Sequence, residues 1–411
     1  MEFDVVIIGA GIVGLATAYK TLEQHPDLKV CILEKETKIA SHQTGNNSGV
    51  IHSGIYYKPG SRKALNCNRG YDLLLNFCEE KGINYELCGK MIVATNKNEI
   101  PYLEMIYERG LANGLKTITY LGSEQIKEKE PYVVGIKGVW VPQTGIVDYK
   151  EVAKKYLESI KKMGGILMLN HKVSRIKKYK DKIAVQNSDW IYYTKLLVNC
   201  GGLYSDKITK LTGQALDYKI LPFRGEYYEL KPNRLNLVNG LIYPVPDPNF
   251  PFLGVHFTKM INGGVEAGPN AVLAFKREGY KKRDINFGEL LETLLYPGFL
   301  KIAKKYWREE LYEFYRSFSK SVFIKSLRKL IPEINKGDFV PGGAGVRAQA
   351  CDWRGNLIDD FLILEQKNVI NVCNAPSPAA TASLAIGEFV SKKIISKLGL
   401  NKIQRFGSRN L

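Results

Sequence analysis

No stretch of this 411-residue chain approaches the roughly 18 to 20 uninterrupted apolar residues of a membrane-spanning helix, so no helical span is expected. Met1-Glu2-Phe3-Asp4 runs directly into an apolar strand, without the charged-then-apolar pattern of a signal peptide. Cysteine is sparse. The seven are scattered with no CxxC pair, and Cys31 and Cys200 sit inside apolar runs where small buried thiols are common; a reducing compartment fits best, and no metal site is expected. There is no internal repeat and no low-complexity segment, and a disordered tail is not needed. Histidine is limited to five residues, which narrows any search for a base that works near neutral pH.

What the chain does have is 45% apolar content, enough for a large core, and a length that favours two intimately joined domains. Its formal charge is +18, from 59 Lys and Arg against 41 Asp and Glu. Those basic residues run through the whole sequence without a homeodomain, zinc-finger or RNP pattern, so specific nucleic-acid binding is not expected. A basic surface suits acidic substrates or anionic lipid.

The strand Val5-Val6-Ile7-Ile8 runs into Gly9-Ala10-Gly11-Ile12-Val13-Gly14. Each glycine has a job in a dinucleotide cradle: Gly9 for the tight turn, Gly11 so that backbone can approach a pyrophosphate, Gly14 for close helix-on-strand packing. The helix starting at Ile12 and Val13 aims N–H groups and its positive end at the phosphates. Glu34 lies twenty residues beyond Gly14, followed by Lys35, and closes the next apolar run, where a carboxylate can accept hydrogen bonds from ribose hydroxyls. Nicotinamide and flavin both remain open at this point.

The order of strand and helix signals implies an α/β chain, α+β overall: a discontinuous Rossmann-like domain from residues 1–88, 147–220 and 341–411, and a second, mixed or antiparallel sheet domain from 89–146 and 221–340. A helical, amphipathic segment at about 290–330 carries Phe299, Ile302, Ala303, Tyr306, Leu311, Phe314 and Phe318 at helical spacing. From Lys276 to Lys329 there are 14 Lys and Arg against 7 Asp and Glu.

A second signature follows the acid: Ser41-His42-Gln43-Thr44-Gly45-Asn46-Asn47-Ser48-Gly49-Val50-Ile51-His52-Ser53-Gly54-Ile55-Tyr56-Tyr57. Together with GAGIVG and the strand ending Asn199-Cys200-Gly201-Gly202, it resembles the D-amino-acid-oxidase-like flavoprotein superfamily. The HQTGNNSGVIHSGIYY run is similar to L-2-hydroxyglutarate oxidases and dehydrogenases. So, in order, are PFRGEYYEL from Pro222, YPVPDPNFPFLGVHFT from Tyr243, GGVEAGPNAVLAFKREGY from Gly263, GAGVRAQ from Gly343 and NAPSPAATASLAIGE from Asn374.

The resemblance implies an FAD that takes a hydride from the alcohol carbon of L-2-hydroxyglutarate, giving 2-oxoglutarate; covalent attachment through Cys or His is possible in the superfamily, but no residue here stands in a matching context, so a non-covalent FAD is expected. It places Thr44, Ser48 and Gly49 at the pyrophosphate, the Val173 backbone at the adenine, and Cys200 and Gly201 at the cofactor crevice. Ser377, Pro378, Ala379 and Ala380 would meet the flavin ring with backbone N–H groups, Pro378 excepted because it has none. Here the chain departs from the Gly-rich loops common elsewhere in the superfamily.

A base is needed for the hydroxyl proton. His25 and His171 read as surface residues, and His42 as a support of the pyrophosphate loop; His52 and His256 are the expected pair near the substrate, either able to take the proton. For a dicarboxylate, Arg347 fits the superfamily's carboxylate position, with Arg224 facing the flavin and Lys259 and Arg277 as candidates for the distal carboxylate. Rival readings are a flavoenzyme for glycerol 3-phosphate or an amino acid, and, more remotely, a flavin-containing protein that docks nucleic acid or membrane. Oxygen, a quinone or another membrane electron carrier all remain open as acceptor. The expected location is cytoplasmic, with peripheral contact of the basic helices at the anionic inner face of the cell membrane as the alternative.

Overall fold

The computed structural model describes residues 1–247 and 254–400. Part of the YPVPDPNFPFLGVHFT segment (248–253) and the end of the expected third segment (401–411) lie outside the described residues.

An apolar run without polar alternation suits a strand buried on both faces, and β1 (Glu2–Ile8) is one. Val5 and Ile7 join the core formed with α1 (Ile12–Gln24), α5 (Tyr149–Lys162) and α10 (Ser383–Lys397), while Phe3, Val6 and Ile8 join a second cluster on the other face. Burying each such side chain is worth roughly 1.5–3 kcal/mol. β1 lies between β2 (Val30–Leu33) and β12 (Ile191–Asn199), parallel to both, and β9 (Ile166–Met168) continues beyond β2. The first residues of β12 pair with the antiparallel hairpin of β10 (Arg175–Lys178) and β11 (Ile183–Gln186). Its last residues pair in parallel with β20 (Val369–Asn374), which β19 (Leu362–Glu365) flanks. A short helix, α6 (Ser205–Leu211), follows β12 and packs on β20.

The second sheet runs β17 (Val272–Leu273), β13 (Tyr218–Leu230), β16 (Val265–Gly268), β15 (His256–Lys259), β14 (Leu241–Pro244), β5 (Lys90–Ala94), β7 (Lys137–Val141) and β6 (Thr119–Gly122). Only the β14–β5 pair is parallel; the remaining pairs of this sheet are antiparallel. β18 (Phe339–Asp352) pairs with β13 along nearly its whole length. α3 (Ile100–Ala112) and α4 (Ser123–Lys129) cover β5 and β7, and α7 (Phe287–Leu294), α8 (Pro297–Phe318) and α9 (Lys320–Leu327) form the basic helical segment. A small sheet of β3 (Val50–Ile51), β8 (Gly145–Val147) and β4 (Tyr85–Glu86), with α2 (Arg62–Lys81) packed on α10, completes the architecture.

The architecture is the expected one: a parallel-centred sheet with helices, joined to a largely antiparallel sheet. Three details differ. Residues 339–352 belong to the second sheet, so the chain rejoins the first sheet at Leu362 rather than at 341, because β18 takes its hydrogen bonds from β13. The expected stripe of the basic segment also divides. Ile302 is buried with Phe299 and Tyr306 packed beside it, whereas Leu311 and Phe318 face outward, 59% and 73% exposed. And His25, expected at the surface, is buried at the end of α1, because the turn after it folds back beneath the helix.

The join between β1 and α1 is tight. A Cβ on Gly14 would lie 2.0 Å from the Gly9 carbonyl oxygen. We expect Gly14→Ala to cost roughly 1–3 kcal/mol by forcing helix from strand, read as a fall in melting temperature; an unchanged melting temperature would contradict this packing.

Candidate active site

The carboxyl ends of β1, β12 and β20 lie side by side, so the three loops that leave them open into the same space. That space is a cavity of about 850 Å3. One end is lined by Gly11, Ile12, Val13, Thr44, Ser48 and Cys200; Ser377, Pro378, Ala379 and Ala380 lie along it, His256 and Arg347 reach it from the second sheet, and His52 from the loop after β3.

At the first end, Gly9 has φ +105°, and a Cβ there would meet the Cys200 carbonyl at 2.5 Å. A glycine is the residue that can make this turn. Gly11 is different: a Cβ on it would touch only the Thr44 hydroxyl, at 3.4 Å, and would otherwise project into open space. No side chain of Gly11 caps α1, and the Ile12 N–H donates to Thr44 Oγ1 at 2.9 Å. Glu34 ends β2 beside this turn, accepting the Ala10 N–H at 2.8 Å and the Glu36 N–H at 3.0 Å. A helix N-terminus opening through a glycine backbone onto a long cavity, with a carboxylate next to it, fits the diphosphate and ribose of a dinucleotide such as FAD.

The 41–49 loop ties itself in place through its asparagines. Asn46 Nδ2 donates to the Ser41 and His42 carbonyls, Asn47 Nδ2 to the Gln43 and Thr44 carbonyls, and Asn47 Oδ1 accepts the Gly49 N–H. Gln43 Oε1 accepts the Ala348 N–H at 3.0 Å, which joins the loop to the strand that carries Arg347. His42 supports the loop as expected: it contacts Glu36 at 2.9 Å, Glu278 at 3.1 Å and the Tyr280 hydroxyl at 3.2 Å.

At the other end, the His52 N–H donates to Thr381 Oγ1, which is hydrogen-bonded to the Tyr149 hydroxyl at 2.8 Å; the His52 Nε2 lies 3.4 Å from Ser377 Oγ. His52 is half-buried in the cavity wall. Desolvation, with Lys90, His256 and Lys63 near it, holds its pKa well below the usual value. His256 is 4% exposed, and its ring stacks on Tyr243 with centroids 3.8 Å apart. Desolvation lowers its pKa to about 3, with Lys90 and Arg347 adding to the effect. Its Nδ1 lies 3.0 Å from the Gly254 carbonyl, an acceptor only, so Nδ1 carries the proton and Nε2 keeps a lone pair. At neutral pH both histidines are therefore uncharged proton acceptors.

Arg347 lies opposite Phe223 in the β13–β18 pair, with Arg224 in the next register position. Neighbours along a strand point to opposite faces, so Arg347 reaches the cavity and Arg224 does not. Arg224 is instead paired with Glu226 at 3.0 Å and buried. The other two expected substrate cations are likewise engaged elsewhere: Arg277 makes a buried two-point ion pair with Asp206, and Lys259 pairs with Glu86 at 2.6 Å. None of the three lines the cavity. Val173 packs against the second cluster of the first sheet, outside the cavity lining, and the Lys35 ammonium is held by Glu36 and Glu278. Gly49 and Gly201 shape the wall through backbone bonds from just outside the lining.

Cations that the sequence reading did not single out do line the cavity. Lys63, at the start of α2, is paired with Asp359, and Arg109 of α3 donates to the Tyr56 carbonyl. Tyr56, Tyr57, Tyr227 and Tyr243 line it too; burial pushes Tyr227 up to about 12 and the other three upward, so all four are neutral phenols. Tyr56 and Tyr57 stood in the HSGIYY signature, but Arg109 lies in an ordinary amphipathic helix with no local signal. Among the described residues no helix is long and apolar enough to cross a membrane.

Residues 4–393 match the family model described as FAD dependent oxidoreductase. The chain is 58% identical to an L-2-hydroxyglutarate dehydrogenase of Indibacter alkaliphilus, over 94% of this chain and 97% of that protein. It is 44% identical to the mitochondrial L-2-hydroxyglutarate dehydrogenase of Homo sapiens, over 97% and 90%. Its fold is similar to an FAD-bound L-α-glycerophosphate oxidase from Mycoplasma pneumoniae, with TM-score 0.80, 23% identity and 99% and 97% of the two chains covered. Glycine oxidase from Geobacillus kaustophilus gives TM-score 0.73 at 16% identity, covering 99% and 100%.

Gly11 provides a direct test of the cradle. Gly11→Val should fold normally, because its side chain meets only the Thr44 hydroxyl, yet purify without yellow colour, because that side chain fills the space over the helix N-terminus. A fully flavin-loaded variant would contradict this placement.

Proposed function

This chain belongs to the FAD dependent oxidoreductase family, and from that premise we propose how its cavity oxidises L-2-hydroxyglutarate to 2-oxoglutarate. The protein is an FAD-dependent enzyme, and FAD, when bound, supplies the acceptor for the hydride. The observation that carries the reading is the convergence of two uncharged histidines with Arg347 in one cavity whose far end is a dinucleotide cradle.

In this reading Gly11, Ile12 and Val13 hold the pyrophosphate by backbone, Thr44 and Ser48 add hydroxyls, and Glu34 holds ribose. The Ser377–Ala380 loop holds the ring end. Arg347 holds the carboxylate next to the reacting carbon, since a guanidinium matches a carboxylate with two parallel hydrogen bonds. Lys63 and Arg109, rather than Lys259, Arg224 or Arg277, serve the distal carboxylate, because they are the other cations lining the cavity. His256 Nε2 accepts the hydroxyl proton as the C–H pair leaves as hydride, and His52, braced by Thr381 and Ser377, orients the hydroxyl. One proton and one hydride leave the alcohol, and a carbonyl remains.

Anaerobic addition of substrate to the yellow protein tests the reading. L-2-hydroxyglutarate should bleach it while glycerol 3-phosphate and amino acids do not; the opposite pattern would overturn it. Arg347→Lys should retain flavin and raise KM about tenfold or more, because an ammonium cannot form the planar fork. An unchanged KM would remove Arg347 from the carboxylate site.

The electron acceptor is a separate part of the proposal. Trp307, Leu311, Tyr315 and Phe318 recur at helical spacing along α8 beyond a kink at Tyr306, and they are all more than half exposed, as are Leu300 before the kink and Phe287, Leu291 and Leu295 of α7 and the turn after it. Lys301, Lys304, Lys305 and Arg308 are interleaved with them. An apolar stripe among basic residues suits the interface of an anionic membrane, and supports a membrane quinone as the acceptor. The protein should co-sediment with phosphatidylglycerol vesicles, and Trp307→Ser with Leu311→Ser should weaken this severalfold; indifference of the wild type to such vesicles at low salt would exclude the contact.

A further inference from the structure

β5 begins with a lysine where a buried strand has no ordinary use for one. Lys90 is 1% exposed, and its backbone pairs with Leu241 on one side and Val141 on the other, so it is fixed in the middle of the second sheet. Its ammonium lies 4.3 Å from the centre of the Tyr243 ring and 5.2 Å from that of Tyr56, two of the phenols that line the cavity. Tyr243 in turn stacks on His256. Among the described residues no carboxylate is paired with Lys90, which separates it from the buried Arg277–Asp206 and Arg316–Glu313 pairs. The groups around it are His52, His256, Cys67 and Cys88 and the two tyrosines, with Lys63, Arg347 and Arg109 and the carboxylates Asp247 and Asp359 elsewhere in the cavity lining, Asp359 being paired with Lys63.

A buried cation without a counter-ion is costly, and aromatic faces recover only a part of that cost. Such a group is stabilised when a negative charge arrives. The substrate of the proposed reaction brings two.

We propose that Lys90 is a positioning residue that senses substrate charge from behind the Tyr56–Tyr243 wall, its buried ammonium answering the charge of a dicarboxylate bound on the other side of that wall. The assignment rests on the reading of the cavity as a dicarboxylate site. Desolvation, opposed by Cys67 and Cys88, lowers the Lys90 amine to about 7, so near neutral pH the ligand-free site holds it partly deprotonated. Bound anion favours the charged form and raises that value, so the site binds ligand and proton together. The charge of Lys90 also disfavours imidazolium at His52 and His256, which favours both as proton acceptors.

The test uses the FAD-loaded enzyme and 2-oxoglutarate, the dianionic product, followed through the flavin absorbance band. In weakly buffered solution near pH 7, binding should take up as much as about half a proton per site, and Kd should rise toward tenfold per pH unit above that range. Lys90→Met should bind more weakly at pH 6.5 and lose both the uptake and the alkaline rise. Lys90→Arg, charged throughout, should lose the rise and keep the affinity; it decides the matter if Lys90→Met fails to retain flavin. A KM profile should follow the same limb with kcat less affected. Binding by wild type without proton uptake, or an unaltered pH limb in either variant, would overturn the role of Lys90 while leaving the dicarboxylate reading intact. Failure of wild type to bind 2-oxoglutarate at any pH would overturn that reading itself.

Discussion

The parallel pairing of β12 with β1 on one side and β20 on the other is the constraint on which the rest of the site depends. Parallel strands end at the same level, so their outgoing loops must share one crevice. Residues 9–14, 200–202 and 375–380 are thereby gathered from the start, middle and end of the chain. If β20 did not pair with the last residues of β12, the 375–380 loop would have no fixed relation to the glycine turn, and His52, which leans on Thr381 and Ser377, would lose its brace.

The second sheet adds a different kind of order. β13 and β18 form a long antiparallel pair that carries Arg347 on the face toward the cavity, and Gln43 ties that strand to the 41–49 loop of the cofactor side. Two neighbouring arginines of that pair end in opposite places: Arg347 at the cavity and Arg224 in an ion pair behind it. A strand's alternation does this without any further device. The same logic runs through the chain's abundant positive charge. Arg277 and Arg316 are spent on buried carboxylates, Lys301, Lys304, Lys305 and Arg308 of α8 face solvent, and a small subset, Arg347, Lys63 and Arg109, reaches the cavity.

Several parts of this were legible from residues alone. Gly9, Gly11 and Gly14 with Glu34 announce their roles because the backbone geometry they serve is local: a turn, an approach and a helix start within a few residues. His52 was legible because it sits in an unusual polar signature next to that cradle. His256 was reached by elimination among five histidines, and the structure brings it to the same cavity. The failures were all questions of direction or partnership. Nothing near Arg277 in sequence says that Asp206 lies 71 residues earlier and claims it, and nothing near Lys259 reveals Glu86.

The sequence by itself therefore determined the family, its FAD cofactor and the two-sheet architecture, since the strand–glycine–helix turn and the polar signature are written in spacings of a few residues that local backbone physics reads directly. Tertiary structure alone decided which cations meet the cavity, that His25 is buried, that residues 339–352 belong to the second sheet, and that Lys90 lies beneath two cavity tyrosines with no carboxylate partner among the described residues. Those outcomes depend on which face of a strand is inward and on partners tens to hundreds of residues away. A linear chain carries no local mark of either.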